Sequence, residues 1–106
     1  MAEFIVVSMS CADREQGERI AAALVEQRLA ACVQIVGPVD SVYRWQGTVA
    51  RAEEWLCIAK TRRERYDEVE RAIRELHSYA CPEIVATAIV AGSAGYLAWL
   101  AEQSSD

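Results

Sequence analysis

The 106-residue sequence lacks the features that mark several large classes of protein. No apolar run reaches the ~20 residues of a membrane-spanning helix, so we expect no membrane partner. Sixteen acidic residues against 11 basic ones give a formal net charge of -5, which argues against nucleic-acid binding. The chain starts with a short apolar run and carries Glu3 where a signal peptide would be basic, which favours a cytoplasmic protein.

Short catalytic and metal-binding motifs are also absent. There is no phosphate-binding G-x-x-x-x-G-K-[ST] loop, no G-x-S-x-G and no H-E-x-x-H, so we predict a non-enzymatic protein without an organic cofactor. None of the four cysteines forms a C-x-x-C pair. We interpret Cys32 and Cys57 as small core residues. Cys11 and Cys81, beside predicted strand ends, are either idle thiols or ligands.

The sequence has enough apolar residues, 53%, for one globular domain that spans residues 1–106. Apolar periodicity and turn residues predict alternating strands and helices. The strands are predicted at 4–9, at 31–36 before Gly37-Pro38, at 41–45, at 54–61 after a polar turn at 50–53, and at 84–90; the helices follow Asp13, span 63–76 and lie near the C-terminus.

This order of elements predicts an α+β, ferredoxin-like fold, the split βαβ arrangement, with a long β-hairpin and a short C-terminal helix. The helices would cover one face of the sheet. The other face and the hairpin carry Tyr43, Trp45 and Trp55, which the C-terminal helix is too small to cover. Because apolar patches of this size usually mark interfaces, we expect a homo-oligomer in which the hairpin contacts a neighbouring subunit.

The only histidine, His77, is the first candidate for a site residue. Its imidazole could bind copper, zinc or nickel, or it could cap the end of the second predicted helix. Candidate partners by residue type are Met9, Cys11, Cys81 and Glu83. Sulfur with imidazole would favour copper, although the spacing selects no particular set.

A second group of residues predicts a small pocket between subunits. Lys60 ends an apolar strand, where it either reaches solvent or binds an anion or pairs with Glu83 in a cleft. Tyr79 and Tyr43 could add hydroxyl groups, and Trp45 is either a pocket or an interface aromatic. Such a grouping near strand ends is typical of a ligand pocket.

Five segments in a fixed order resemble the CutA divalent-cation-tolerance family over nearly the whole chain. These are Leu24-Val25-Glu26 to Leu29-Ala30-Ala31-Cys32-Val33, Ser41-x-Tyr43-x-Trp45-x-Gly47, Lys60-Thr61, His77-x-Tyr79 with Pro82-Glu83-Ile84, and Tyr96-Leu97-x-Trp99. The resemblance implies a homotrimer, similar in architecture to PII signalling proteins, and a link to tolerance of copper and other divalent cations. It also implies metal ligands at His77 and near the end of the first strand, at Met9 or the nearby Cys11.

The same resemblance implies an alternative function, and the sequence departs from the family pattern at three places. The alternative is a PII-like signalling trimer that binds a small anionic ligand in clefts between subunits. Ser10-Cys11-Ala12 replaces a Thr-x-Pro, Ser78 replaces a proline and Gln34 replaces an asparagine. The loss of two prolines predicts looser loops near the implied metal site.

Overall fold

A computed structural model describes residues 3–106 and shows four strands and three α-helices. The helix α2 is preceded by a short 3-10 turn at Arg63–Arg65. The elements are β1 (Phe4–Cys11), α1 (Arg14–Glu26), β2 (Cys32–Trp45), β3 (Thr48–Arg62), α2 (Tyr66–Leu76), β4 (Ile84–Ala88) and α3 (Ala94–Gln103).

The four strands form one antiparallel sheet in the order β2-β3-β1-β4. This order confirms the predicted ferredoxin-like arrangement, because α1 and α2 each connect two strands that are not neighbours in the sheet. Helices α1 and α2 cover one face. The core lies between them and the sheet, and its most deeply buried side chains include Val7, Met9, Ile20, Leu24 and Ile73.

The two covering helices form where the sequence predicts them, for local reasons. Asp13 caps α1, since its carboxylate accepts a hydrogen bond from the backbone N–H of Gln16 at 2.9 Å. In α2, Val69, Ala72 and Ile73 are buried at helical spacing and make the apolar stripe. The charged residues of α2 face outward, and Arg74 pairs with Glu70 one turn earlier.

The prediction that Gly37-Pro38 closes the second strand is wrong, because β2 continues through both residues to Trp45. The register shifts between Val36 and Val39, which marks a bulge. β2 is an edge strand, so the N–H that proline lacks is not needed by a further neighbour. Packing also favours glycine at position 37, since a Cβ there would lie 2.6 Å from the Trp55 ring.

The predicted polar turn at residues 50–53 is also wrong. The chain reverses at Gln46 and Gly47, whose φ angles are 50° and 84°, between the paired residues Trp45 and Thr48. Two consecutive residues with positive φ are the requirement of a type I′ two-residue hairpin turn, and residues 50–53 continue β3. The result is a hairpin arm, residues 39–54, that extends beyond the rest of the sheet.

The sheet face opposite α1 and α2, called here the open face, is only partly covered. Helix α3 contacts it near Cys32, whose sulfur lies 3.4 Å from the Tyr96 hydroxyl. Backbone carbonyls at the end of α3 accept hydrogen bonds from Arg28, Arg62 and Arg65, which hold the helix in place. No helix among residues 3–106 is long and apolar enough to cross a membrane.

Candidate functional site

A cleft of about 590 Å³ opens between the hairpin arm and the segment of residues 77–83 that joins α2 to β4. Ser10, near the end of β1, also lines it. The cleft is lined by Ser10, Ser41, Val42, Tyr43, Trp45, Glu54, Tyr79, Ala80, Cys81 and Glu83. It therefore lies on the open face, at the opposite end from α3.

The arm forms one wall of the cleft through a regular strand pattern. Ser41, Tyr43 and Trp45 alternate along β2 and therefore project from one face of the arm. The β3 residues directly opposite Ser41 and Tyr43 are Ala52 and Ala50. These small side chains fill little space beside the two rings, which leaves room for a ligand.

Glu54 and Tyr79 meet across the inner part of the cleft. The Tyr79 hydroxyl donates a hydrogen bond to Glu54 Oε2 at 3.0 Å, and only 7% of the Glu54 surface is exposed. Burial, together with this hydrogen bond and the nearby Glu54 charge, raises the pKa of Tyr79 to about 12. Tyr79 therefore remains a neutral hydrogen-bond donor at any physiological pH.

His77 connects the segment 77–83 to β1 through both of its ring nitrogens. The backbone N–H of Tyr79 donates to Nδ1 at 3.1 Å, and Nε2 lies 2.7 Å from the carbonyl oxygen of Ser10. Because a carbonyl can only accept, Nε2 carries the proton and the ring is the neutral Nε2–H tautomer. A metal at Nε2 would have to replace the bond to Ser10, and in this structure the ring links residues 77–79 to the end of β1.

Met9 and Cys11 are the other two residues predicted as metal ligands. They flank Ser10, which contacts His77, but their side chains lie inside the core. Met9 is 1% exposed and Cys11 0%. The Cys11 thiol lies 3.4 Å from the carbonyl oxygen of Asp13. Burial raises the pKa of Cys11, and it raises the pKa of the neighbouring Cys57 to about 12. Since a thiol binds metal as the thiolate, burial disfavours Cys11 as a ligand in this conformation.

The predicted pocket group is only partly brought together. Tyr43, Trp45, Tyr79 and Glu83 all line the cleft. Lys60 does not: its ammonium group donates to Gln34 Oε1 at 2.9 Å on the open face. Lys60 lies six residues along β3 from Glu54, which corresponds to about 20 Å in a strand.

Sequence reasoning missed Glu54, the most buried charged group of the cleft. In the sequence it reads as a polar residue at the start of a strand, and its burial depends on Tyr79, 25 positions away. The thiols of Cys11, Cys32, Cys57 and Cys81 are all free in this structure. Within residues 3–106, no three His, Cys, Asp or Glu side chains converge closely enough to hold a metal ion.

Comparison with known proteins gives consistent matches over nearly the whole chain. Residues 5–103 match the sequence profile described as "CutA1 divalent ion tolerance protein". The chain is 43% identical over 99 residues to the "Divalent-cation tolerance protein CutA" of Thermus thermophilus, with 93% of this chain and 96% of the relative covered. It is 41% identical to "Protein CutA, chloroplastic" of Arabidopsis thaliana, with 91% of this chain covered, but spans only 53% of that longer relative.

Solved structures agree with the sequence matches. The Cut A1 structure from Thermus thermophilus superimposes with a TM-score of 0.92 at 43% identity and covers 94% of this chain and 97% of its own. The CutA structure from Xylella fastidiosa superimposes with a TM-score of 0.95 at 30% identity and covers 98% and 100%.

Proposed function

Because the chain belongs to the CutA1 divalent ion tolerance protein family, we propose that it is a non-enzymatic homotrimer that binds copper or another divalent cation. It would contribute to tolerance of that ion in the cytoplasm, where reduced thiols are available as ligands. The observation that carries the proposal is the position of residues 77–83. This segment bears an imidazole, a thiol and a carboxylate beside the hairpin arm.

The need for a neighbour follows from the shape and surface of the arm. The chain measures 45 × 25 × 22 Å, and the arm exposes apolar side chains. Val42 is 56% exposed and Val49 63%, and both lie on the face of the arm away from Tyr43 and Trp45. An isolated two-stranded hairpin with these residues would be marginally stable in water, whereas contact with a second subunit would bury them. We therefore propose that the trimer forms around the three arms.

The proposed ion site is completed between subunits. In one chain, Cys81 and Glu83 line the cleft, and His77, four residues before Cys81, would bind the ion through Nε2 in place of its bond to Ser10. These donors do not converge within residues 3–106 of a single chain. Met9 and Cys11 lie beneath the same strand end, and would join the site only if the local core opened. A softer ligand set, with sulfur and imidazole, would favour copper over magnesium or calcium.

Calorimetric titration of the reduced protein with Cu(I) and Cu(II), together with light scattering, tests this proposal. We expect a trimer that binds a fixed number of copper ions per chain, with binding weakened in His77→Ala, Cys81→Ser or Glu83→Gln. Cys32→Ser is the matched control, because that thiol lies beside Tyr96, away from the cleft. A stable monomer at micromolar concentration, or the absence of stoichiometric copper binding, would refute the proposal.

A further inference from the structure

The cleft contains a buried acidic group that no basic side chain neutralises. Glu54 is only 7% exposed, and its sole hydrogen-bond partner among residues 3–106 is the Tyr79 hydroxyl at Oε2. None of the salt bridges in this part of the chain involves Glu54. No side-chain oxygen among residues 3–106 is both fully buried and unpaired, so the second Glu54 oxygen is open to the cleft, where it is available to a positive charge.

The other residues that line the cleft are typical of a binding site for an organic cation. Glu83 adds a second carboxylate, and the lining includes no lysine or arginine. Trp45 and Tyr43 on the arm and Tyr79 on the opposite side supply three aromatic rings. The faces of such rings attract cations, and the attraction is strongest when water is excluded.

Two features favour a small organic cation as the ligand of this cleft. A cleft of about 590 Å³ is within the size range of small-molecule sites. An anion would face two carboxylates, while Lys60, the expected anion-binding residue, is hydrogen-bonded to Gln34 away from the cleft.

We propose that the cleft between the hairpin arm and residues 77–83 binds a small organic cation of the ammonium class. In this arrangement Glu54 faces the positive charge, and Trp45 and Tyr43 contact the carbon atoms around it. Tyr79 holds the Glu54 carboxylate in position through its hydroxyl. This site requires no metal ion, so a titration in the presence of EDTA tests it separately from copper binding, although Glu83 belongs to both proposed sites.

The test is a calorimetric titration of the intact protein in the presence of EDTA, which removes any contribution from metals. The probes are choline, tetramethylammonium and butylammonium, with 3,3-dimethyl-1-butanol as the uncharged analogue of choline. We expect saturable binding of at least one cation, quenching of tryptophan fluorescence, and much weaker binding of the neutral analogue. Equal binding of choline and its neutral analogue would overturn the proposal, as would the absence of binding by any of the three cations up to about 10 mM.

Variants of the residues that line the cleft test which of them bind the cation. Glu54→Gln keeps an acceptor for Tyr79 but removes the charge, and should weaken cation binding by about tenfold or more. Trp45→Leu keeps the arm apolar and should weaken it by about 30-fold. Glu53→Gln is the matched control, because Glu53 is exposed and adjacent in sequence but lies on the other face of the arm. Unchanged affinity in Glu54→Gln and Trp45→Leu, with the assembly intact by light scattering, would refute the assignment.

Discussion

Replacement of His77 by alanine should loosen the segment that forms one side of the cleft. In the structure its imidazole accepts a hydrogen bond from the Tyr79 N–H at 3.1 Å and donates one to the Ser10 carbonyl at 2.7 Å. Both partners are backbone groups on different parts of the chain, so the ring fastens residues 77–79 to the end of β1. His77→Ala removes both hydrogen bonds at once.

The expected magnitude follows from these two hydrogen bonds. Each contributes about 0.5–1.5 kcal/mol net, so His77→Ala should lower the free energy of unfolding by about 1–3 kcal/mol per chain. Urea denaturation at a fixed chain concentration measures this, because assembly makes the apparent stability of an oligomer depend on concentration. Amide hydrogen exchange gives a local measurement, in which the Tyr79 N–H should exchange faster in the variant than in the wild type.

Two conservative variants separate the hydrogen bonds. His77→Asn places an acceptor near the position of Nδ1 and should restore protection of the Tyr79 amide. His77→Gln places a donor near the position of Nε2 and should restore part of the stability but not that protection. If His77→Ala were as stable as the wild type, and Tyr79 exchanged at an unchanged rate, the positioning role of His77 would be refuted.

Two further predictions concern Tyr79 and the core. A tyrosine in the unfolded chain loses its proton near pH 10, whereas Tyr79 keeps its proton in the folded chain to about pH 12. The folded state therefore binds more protons than the unfolded state between these pH values, and the free energy of unfolding should fall as the pH rises from 10 to 12. In urea denaturation curves, Tyr79→Phe should reduce this fall. An identical fall in the wild type and the variant would contradict the prediction. Gly17→Ala gains helix propensity, but its Cβ would lie 3.2 Å from the Cys57 sulfur and 3.3 Å from the Cys11 sulfur, both fully buried. We expect a net loss of about 1 kcal/mol that shrinks in a Cys57→Ala background, and thermal unfolding showing the same effect in both backgrounds would count against this packing.

The order of elements could be predicted because its signals are local. Asp13 before a helical pattern and the apolar stripe of α2 each lie within one or two turns of chain. The long hairpin was predicted, but the start of its first strand was placed too late because Gly37-Pro38 is a strong turn signal. That signal is overridden by the edge position of β2 and by packing on Trp55, neither of which is visible in the local sequence.

The candidate site could be predicted in part. Tyr43, Trp45, Tyr79 and Glu83 stood out as motif residues, and the fold brings them to one cleft. The depth of Glu54 and the distance of Lys60 from the cleft depend on strand register, which a single sequence does not specify. The two hydrogen bonds of His77 are likewise tertiary, since Ser10 lies 67 positions away.

The central claim is that three copies of this chain assemble and bind a divalent cation. Native mass spectrometry of the reduced protein, with and without added copper, tests both parts in one measurement. The predicted result is the mass of three chains, with a further fixed number of copper ions that is reduced in the His77→Ala and Cys81→Ser variants. A spectrum of single chains, or of trimers to which copper adds without a defined number, would contradict the account.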